Sequence, residues 1–322
     1  MTMTRLKQVL ATVGVAAMGA FALSGCGSPA DAAGSGDTDQ LTQTRGDFFA
    51  LLDTVHGDSD DREAGEFTAH TLQQQAIAAC MARYDFDYQP IPFQRTGPTR
   101  SFIASDTAFS PIAEFGIGAG KAIEAQNPPV YDPAYEALPE KEKIRWGKTI
   151  TAECGQAGGD DPDTTTVEPD VRAQWERPAH FDEVNTALMD MLETARQDPG
   201  LQKAYGEYRS CMEGGGFNAT VSGVGDESGE PLAAVLGQVT AAYNAVPAGE
   251  WATMVDTPQW ETASRLEATA SAQDAVCRQP VQDAALTLIT DELAAFQTQH
   301  AETIGLVAGE WNTIREKASS LR

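Results

Sequence analysis

Cysteines are the residues whose number and spacing bear most directly on chemistry in this sequence. Four of the five, Cys80, Cys154, Cys211 and Cys277, lie in the body of the chain. An even set of this kind is typical of disulfide bonds in an exported protein, and four cysteines allow three pairings. No Cys-x-x-Cys pair is present, which argues against both a four-thiolate metal site and dithiol redox catalysis.

A short sequence repeat favours one of the three pairings. Cys80 and Cys211 are each followed by Met, by an Asp or Gly five residues after the Cys, and then by Phe. Each copy, here called the Cys-Met motif, closes a helical pattern of apolar residues. Each is also followed by a second Cys on a later predicted helix. The repeat therefore predicts two disulfides, Cys80–Cys154 and Cys211–Cys277.

Histidines and glycines form no recognisable catalytic or metal-binding pattern. The four histidines, His56, His70, His180 and His300, are far apart, and none belongs to a His-Glu-x-x-His pattern. His300 lies on the apolar stripe of the last predicted helix, where we expect a hydrogen-bonded histidine of the core or of an interface. The glycine-rich run at residues 116–121 lacks the spacing and the preceding strand of a phosphate-binding loop. No Gly-x-Ser-x-Gly elbow is present, so no catalytic residue, metal or cofactor is predicted.

Helices are the elements that must position these residues. Apolar residues recur at helical spacing and no alternation of strands and helices is visible, so the predicted class is mainly α. An acidic stretch rich in Gly and Thr, residues 155–169, predicts a break between a first helical half (46–170) and a second (171–322). The clearest predicted helices lie at residues 60–84, 139–154, 181–195, 199–212, 231–246 and 258–277.

The C-terminal segment predicts the longest helix. Apolar residues recur at spacings of three and four from Asp283 to Leu321, and a single helix of that length would span about 58 Å. Such a stripe needs a partner. We expect it to fold against earlier helices of the same chain, with a coiled-coil dimer as the alternative.

The first 26 residues have the composition of an export signal. Arg5 and Lys7 precede an uncharged apolar run at residues 9–23, which is too short for a stable membrane span. The run ends in Leu-Ser-Gly-Cys at Cys26, which resembles a bacterial lipoprotein lipobox. The resemblance implies that residues 1–25 are removed and that Cys26 becomes a diacylated N-terminus, anchored at the extracytoplasmic face of the cell membrane. The alternative is an ordinary cleaved signal with an incidental Cys.

Composition sets the expected partners. Residues 26–45 are expected to form the lipidated Cys and a flexible tether, because residues 27–40 hold no large apolar side chain. The formal net charge of −25 argues against nucleic acid and against electrostatic attachment to anionic lipid. No second apolar run reaches the length of a membrane span. The expected partners are therefore the lipid membrane, through acylated Cys26, and a protein at the cell envelope.

Several of these features together resemble a group of actinobacterial secreted lipoproteins. The resemblance rests on the lipobox, the Cys-Met motif, the run at residues 132–139 (Asp-Pro-Ala-Tyr-Glu-Ala-Leu-Pro), and Asp274-x-x-Cys277 before a long helix. It departs at Asp85, where the group's pattern has Gly. The resemblance implies an extracytoplasmic address and a fold type, and it implies no catalytic residue.

We therefore expect a non-enzymatic accessory or interaction module anchored to the membrane. Two alternatives come from other classes. The first is a helical ligand-binding lipoprotein that serves a transporter, although the βαβ alternation of two-lobed binding proteins is not visible. The second is a cell-wall hydrolase, because carboxylates are abundant and sequence alone cannot pair two of them.

Overall fold

The structure is a computed structural model that describes residues 35–94, 105–126, 133–154, 176–219, 230–247 and 251–322. Every regular element in these ranges is helical, so the predicted mainly α class is confirmed. The helices are, in chain order, α1 (Ser35–His56), α2 (Ser59–Ala82), α3 (Ile117–Gln126), α4 (Pro133–Glu136), α5 (Glu140–Lys148), α6 (Phe181–Arg196), α7 (Pro199–Gly214), α8 (Pro231–Asn244), α9 (Trp251–Met254), α10 (Pro258–Gln299) and α11 (Ala301–Leu321). A π-helical turn (Thr149–Glu153) follows α5.

Helix α10 is the element around which the others pack. It has 42 residues and contacts α1, α6, α7 and α8. Its buried face is a stripe of apolar side chains at helical spacing, which includes Ala270, Cys277, Val281, Ile289 and Leu293. At 1.5 Å per residue the helix is about 63 Å long, so it can support several shorter helices in succession.

The predicted long C-terminal helix is present, but its bounds differ from the prediction. Helix α10 runs through Pro280 to Gln299, whereas the sequence pattern predicted a stop at Cys277 and a new start at Asp283. Proline removes the hydrogen bond to the carbonyl four residues earlier, which here belongs to Val276. Val276 is 70% exposed and Pro280 is also exposed, so the proline lies on the solvent side of α10 and the helix continues without displacing a core side chain.

Helix α11 supplies the rest of the predicted C-terminal stripe. The backbone breaks at His300 (φ −105°, ψ 14°), and α11 then packs on α2 and α1. Trp311 is buried in this contact, with its indole Nε1 3.4 Å from the carbonyl oxygen of Val55. The partner of the stripe therefore lies within the same chain, as expected.

Helix α1 begins earlier than predicted. Residues 35–45 are helical, although they fall within the tether predicted for residues 26–45. Thr44 is buried, with its hydroxyl 3.3 Å from that of Thr290 on α10, and Arg45 forms an ion pair with Asp283. This part of α1 is polar apart from Leu41, so hydrophobic periodicity did not reveal it. Contacts with α10 hold it in place.

Both Cys-Met motifs end their helices in the same way. After α2 and α7 the backbone enters the left-handed region at Asp85 (φ 62°) and Gly216 (φ 88°), the two positions predicted to turn. The amide of the following Phe donates to the carbonyl of the motif's Met, at 3.1 Å in the first copy and 3.0 Å in the second. Both Met and both Phe side chains are buried. The motif is therefore a helix C-cap that also contributes to the core.

Both predicted disulfides are present. Cys80 at the end of α2 bonds to Cys154 after the π-helical turn, and Cys211 on α7 bonds to Cys277 on α10; the partners are 74 and 66 residues apart. Cys277 belongs to the main hydrophobic core, whereas Cys80 and Cys154 belong to a small separate cluster with Ile77. The two bridges thus stabilise different parts of the molecule.

The main core does not divide at the predicted boundary between the halves. It takes side chains from α1 and residues 108–115 as well as from α6, α7, α8, α10 and α11. The boundary itself, near residue 170, lies outside the described residues, and so do residues 1–34 with the predicted signal peptide and Cys26. Among the helices that are described, none is long and apolar enough to cross a membrane.

Candidate functional site

A groove of about 720 Å³ lies between α3 and α10. One wall is formed by residues 112–116 and α3, and the other by the part of α10 from Trp260 to Ala275. Tyr243 of α8 joins the Trp260 end, where the two ring centroids are 5.0 Å apart. We call this space the α3–α10 groove and treat it as the candidate functional site.

A carboxylate from α10 caps the first turn of α3 at the groove. Glu267 accepts hydrogen bonds from the backbone amides of Ile117 (2.6 Å) and Gly118 (3.0 Å) and from the hydroxyl of Tyr243 (2.7 Å). Amides at a helix N-terminus attract negative charge, and here a side chain of the protein supplies it. The glycine-rich run at residues 116–121 therefore builds one wall of the groove around an internal carboxylate.

Two glycines make this capping possible. Gly116 has a φ of 65°, which L-residues with a side chain rarely adopt. A Cβ at Gly118 would lie 2.2 Å from the hydroxyl oxygen of Tyr243 and 2.9 Å from a carboxylate oxygen of Glu267. The Gly-x-Gly pattern thus serves the close approach of α3 to α8 and α10.

Tyr243 stays protonated in this setting. Burial and the hydrogen bond to Glu267 raise the pKa of Tyr243 to about 12, against the effect of Ser264. Its hydroxyl oxygen is also 3.2 Å from Oγ of Ser264. The phenol is therefore protonated at neutral pH, as its hydrogen bond to Glu267 requires.

The rest of the groove is apolar and built from small side chains. On α10, Ala268, Ala272 and Ala275 line it at spacings of four and three and are exposed. Val276 lies next to them and is 70% exposed. Glu114, on the opposite wall, is also exposed. The groove therefore offers an apolar floor with a negative charge at its rim.

A buried ion pair within α10 positions an arginine that holds the loop leading into the groove. Arg278 Nη2 lies 2.8 Å from Asp274 Oδ2, with the side chains 2% and 0% exposed. Tyr208 donates to Asp274 Oδ1 at 2.7 Å. Arg278 also donates to the hydroxyl of Ser110 and to the carbonyl of Pro111, at 3.2 Å in the second case. Asp274 of the Asp-x-x-Cys pattern is thus structural: it holds an arginine that fixes the loop before the groove.

The histidines and cysteines predicted from sequence do not converge on the groove. Each histidine has a neighbour of its own: Phe181 for His56, the Ile91 carbonyl for His70, Glu310 for His180, and Phe296 for His300. His300 is half-buried, with its ring 4.6 Å from that of Phe296. In the ranges that the structure covers, no group of three or more metal-ligating side chains occurs.

Sequence patterns did not predict the groove. Its only local indication was the spacing of Ala268, Ala272 and Ala275, which by itself predicts a buried helix face. Glu267 and Tyr243 meet only after α8 and α10 have packed. No family model, no curated protein and no solved structure matches this chain. The geometry of the groove is therefore the main basis for a functional proposal.

Proposed function

We propose that this protein is a membrane-anchored extracytoplasmic lipoprotein that acts as a non-enzymatic interaction module. In this proposal, an amphipathic helical segment of a protein partner lies in the α3–α10 groove. The observation that carries the proposal is the groove. Its α10 wall extends about 22 Å from Trp260 to Ala275, which is about four helical turns. Helices that bind in grooves use anchors over a comparable length.

The chemistry of the groove supports a helical partner. The side chains of Ala268, Ala272 and Ala275 are small, so a second helix can approach α10 closely. Val276, one turn after Ala272 on α10, adds exposed apolar area beyond the end of the groove. The exposed Glu114 and the net charge of −25 favour a partner with basic residues flanking its apolar face.

The lipobox supports the membrane anchor, and the resemblance to actinobacterial secreted lipoproteins supports the same address. Metabolic labelling with an alkyne fatty acid tests this part. The native chain and Ser28→Ala, a control just beyond the lipobox, should incorporate label, whereas Cys26→Ala should not. Mass spectrometry of the N-terminal peptide should find Cys26 diacylated. An unmodified Cys26, or a labelled Cys26→Ala variant, would contradict the proposal.

Site-specific photo-crosslinking in cells tests the groove. A photoreactive residue at position 272 should capture a discrete partner, whereas one at Glu292 should not. Both positions are exposed on α10, and they lie about 30 Å apart along the helix. The peptide crosslinked at position 272 should have an amphipathic helical pattern with basic flanks.

A substitution that fills the groove provides the second part of the crosslinking test. With the photoreactive residue moved to position 268, Ala272→Arg should abolish capture, and Thr298→Arg, an exposed control on the same helix, should not. Both variants should keep the melting temperature of the parent protein. Equal capture from positions 272 and 292, or no partner from either, would refute the binding role of the groove.

A further inference from the structure

A second, smaller space is built from polar side chains where α6, α7 and the start of α8 meet. Its volume is about 220 Å³. Its lining includes Glu193 and Arg196 of α6, Tyr205 and Arg209 of α7, and Glu230, the N-cap residue of α8. We call this space the polar cleft. It shares no lining residue with the α3–α10 groove.

Tyr205 presents a buried donor to the polar cleft. Its side chain is 4% exposed, and within the described ranges its hydroxyl has no hydrogen-bond partner. A buried hydroxyl without a partner destabilises a fold, and most buried polar groups in proteins are hydrogen-bonded. Because Tyr205 lines the cleft, a molecule bound there can supply the missing acceptor.

Arg209 lies one turn further along α7, on the same face as Tyr205. It is half-buried and makes no ion pair with any residue that the structure describes. Arg196 differs, because it is held by Asp106 and Glu193. Tyr205 and Arg209 are thus two neighbouring donors that can reach the same acceptor group. A carboxylate fits this pair, since a guanidinium and a hydroxyl can both donate to it.

The other side of the cleft carries acceptors. Glu230 accepts a hydrogen bond from the backbone amide of Thr107 at 3.1 Å. Burial raises the pKa of Glu230 and the neighbouring Asp106 raises it further, whereas hydrogen bonds from Thr107 and the charge of Arg196 lower it. Glu193 adds a second carboxylate on α6. A cationic group placed between Glu193 and Glu230 would be attracted to both carboxylates.

We propose that the polar cleft binds a small zwitterion of the size of a free α-amino acid. Its carboxylate lies against Arg209 and Tyr205, and its ammonium group faces Glu193 and Glu230. The volume favours a ligand of this size, because sites for larger organic ligands usually measure about 300–1,000 Å³. The inference goes beyond the proposed partner binding and does not depend on it.

Titration of the full-length protein in detergent tests the proposal. The probes are glycine and L-alanine, with acetate and methylammonium as compounds that each carry one of the two charges. We expect saturable binding of both amino acids by calorimetry, and binding of either single-charge compound that is weaker by about tenfold or more. Arg209→Gln should weaken glycine binding by about tenfold or more, for the same reason.

Two further variants separate a binding role from a structural one. Tyr205→Phe should weaken glycine binding while leaving the ligand-free melting temperature unchanged or raising it, because it removes an unsatisfied hydroxyl. Lys203→Gln serves as the control, since this side chain is 80% exposed and pairs with Glu207 on the surface of α7. It should leave the affinity unchanged. If Arg209→Gln does not fold, Arg209→Lys replaces it. This variant keeps the positive charge but loses the planar guanidinium group, so it should also bind glycine more weakly.

Four results would overturn the proposal. The first is that neither glycine nor L-alanine binds saturably up to about 10 mM. The second is that Arg209→Gln and Lys203→Gln change the glycine affinity equally, and the third is that acetate binds as tightly as glycine. The fourth is that Tyr205→Phe lowers the ligand-free melting temperature. Each assay is independent of crosslinking at Ala272. A negative result for ligand binding in the polar cleft is therefore distinguishable from a negative result for partner binding in the α3–α10 groove.

Discussion

At Asp85 and Gly216 the same left-handed turn is made by two different residue types. Glycine adopts this conformation without steric cost, whereas an L-residue pays roughly 1–2 kcal/mol, with Asp among the more tolerant types. The first Cys-Met motif therefore carries a small strain that the second does not. The buried Met and Phe compensate by packing, in the small cluster for the first motif and in the main core for the second.

Substitutions at the two turn positions should have unequal effects on stability. A Cβ at Gly216 would meet no atom within 4 Å, so Gly216→Ala tests backbone strain alone and should cost about 1 kcal/mol. Asp85→Gly should leave the free energy of unfolding within about 0.5 kcal/mol of the parent or raise it. Chemical denaturation measures both. Unchanged stability in Gly216→Ala would contradict the account of the turn.

His56 should make the fold sensitive to acid. Burial and the nearby Arg62 guanidinium lower the pKa of His56 from 6.5 to about 4. The unfolded chain therefore binds this proton more tightly, and the free energy of unfolding should fall as the pH drops from about 6.5 to about 4. The loss from this residue is roughly 3 kcal/mol when complete.

Denaturant unfolding of the parent and of His56→Gln between pH 7.5 and pH 4.5 measures this contribution. The variant should be less stable at pH 7.5, because a packed side chain is replaced, but its stability should fall less steeply towards acid. Parallel stability profiles for the two proteins would show that His56 is not the group responsible.

At the scale of elements, the two disulfides have unequal roles. Cys211–Cys277 joins α7 to α10 inside the main core, where the contact between these helices is extensive. Cys80–Cys154 joins the end of α2 to the turn after α5, in a small cluster of its own. Small clusters open locally at lower free energy than a main core.

Removal of each bridge should therefore unfold different regions. In Cys80→Ser/Cys154→Ser, amides of α5 should exchange with deuterium much faster while α10 remains protected. Cys211→Ser/Cys277→Ser should lower the global free energy of unfolding, by up to about 4 kcal/mol if the entropy of the open loop dominates. Hydrogen exchange read by mass spectrometry distinguishes the two cases. Loss of α10 protection in the first variant would contradict the local role of Cys80–Cys154.

At the scale of the whole molecule, the two predicted halves share one main core. Helix α10 packs on α1, and α11 packs on α2 and α1, so the last helices of the chain cover its first ones. Trp311 shows the consequence most clearly, because its buried indole lies against Val55 and Gly57 of the N-terminal region. The repeat of the Cys-Met motif is thus not a repeat of independent domains.

Separate halves should fail to fold alone. Expressed by itself, the segment 171–322 should expose the faces of α10 and α11 that α1 and α2 cover, and it should show little cooperative thermal unfolding. Co-expression with residues 26–170 should restore a soluble complex with one transition. Circular dichroism and gel filtration measure both outcomes. A cooperative, monomeric 171–322 fragment would refute the shared core.

Much of the secondary structure and of the covalent framework could be predicted from sequence, because the signals are local. Asp198-Pro199 begins α7 as a cap and first helical residue, and Asp198 Oδ1 accepts from the amide of Gly200 at 2.7 Å. The Cys-Met motif likewise specifies a helix end and a turn within a short stretch of chain. The candidate groove could not be predicted, since Glu267 caps a helix 150 residues earlier in the chain.

By itself, the sequence determined the helical class, the cap of each Cys-Met motif and the pairing Cys80–Cys154 and Cys211–Cys277, because periodicity and repeat spacing encode them along the chain. Only the tertiary structure decided that α1 starts at Ser35, that α10 passes through Pro280, and that α3 closes on Glu267. The physical reason is common to all three. Each depends on which groups a distant helix or the solvent presents, and no local pattern carries that information.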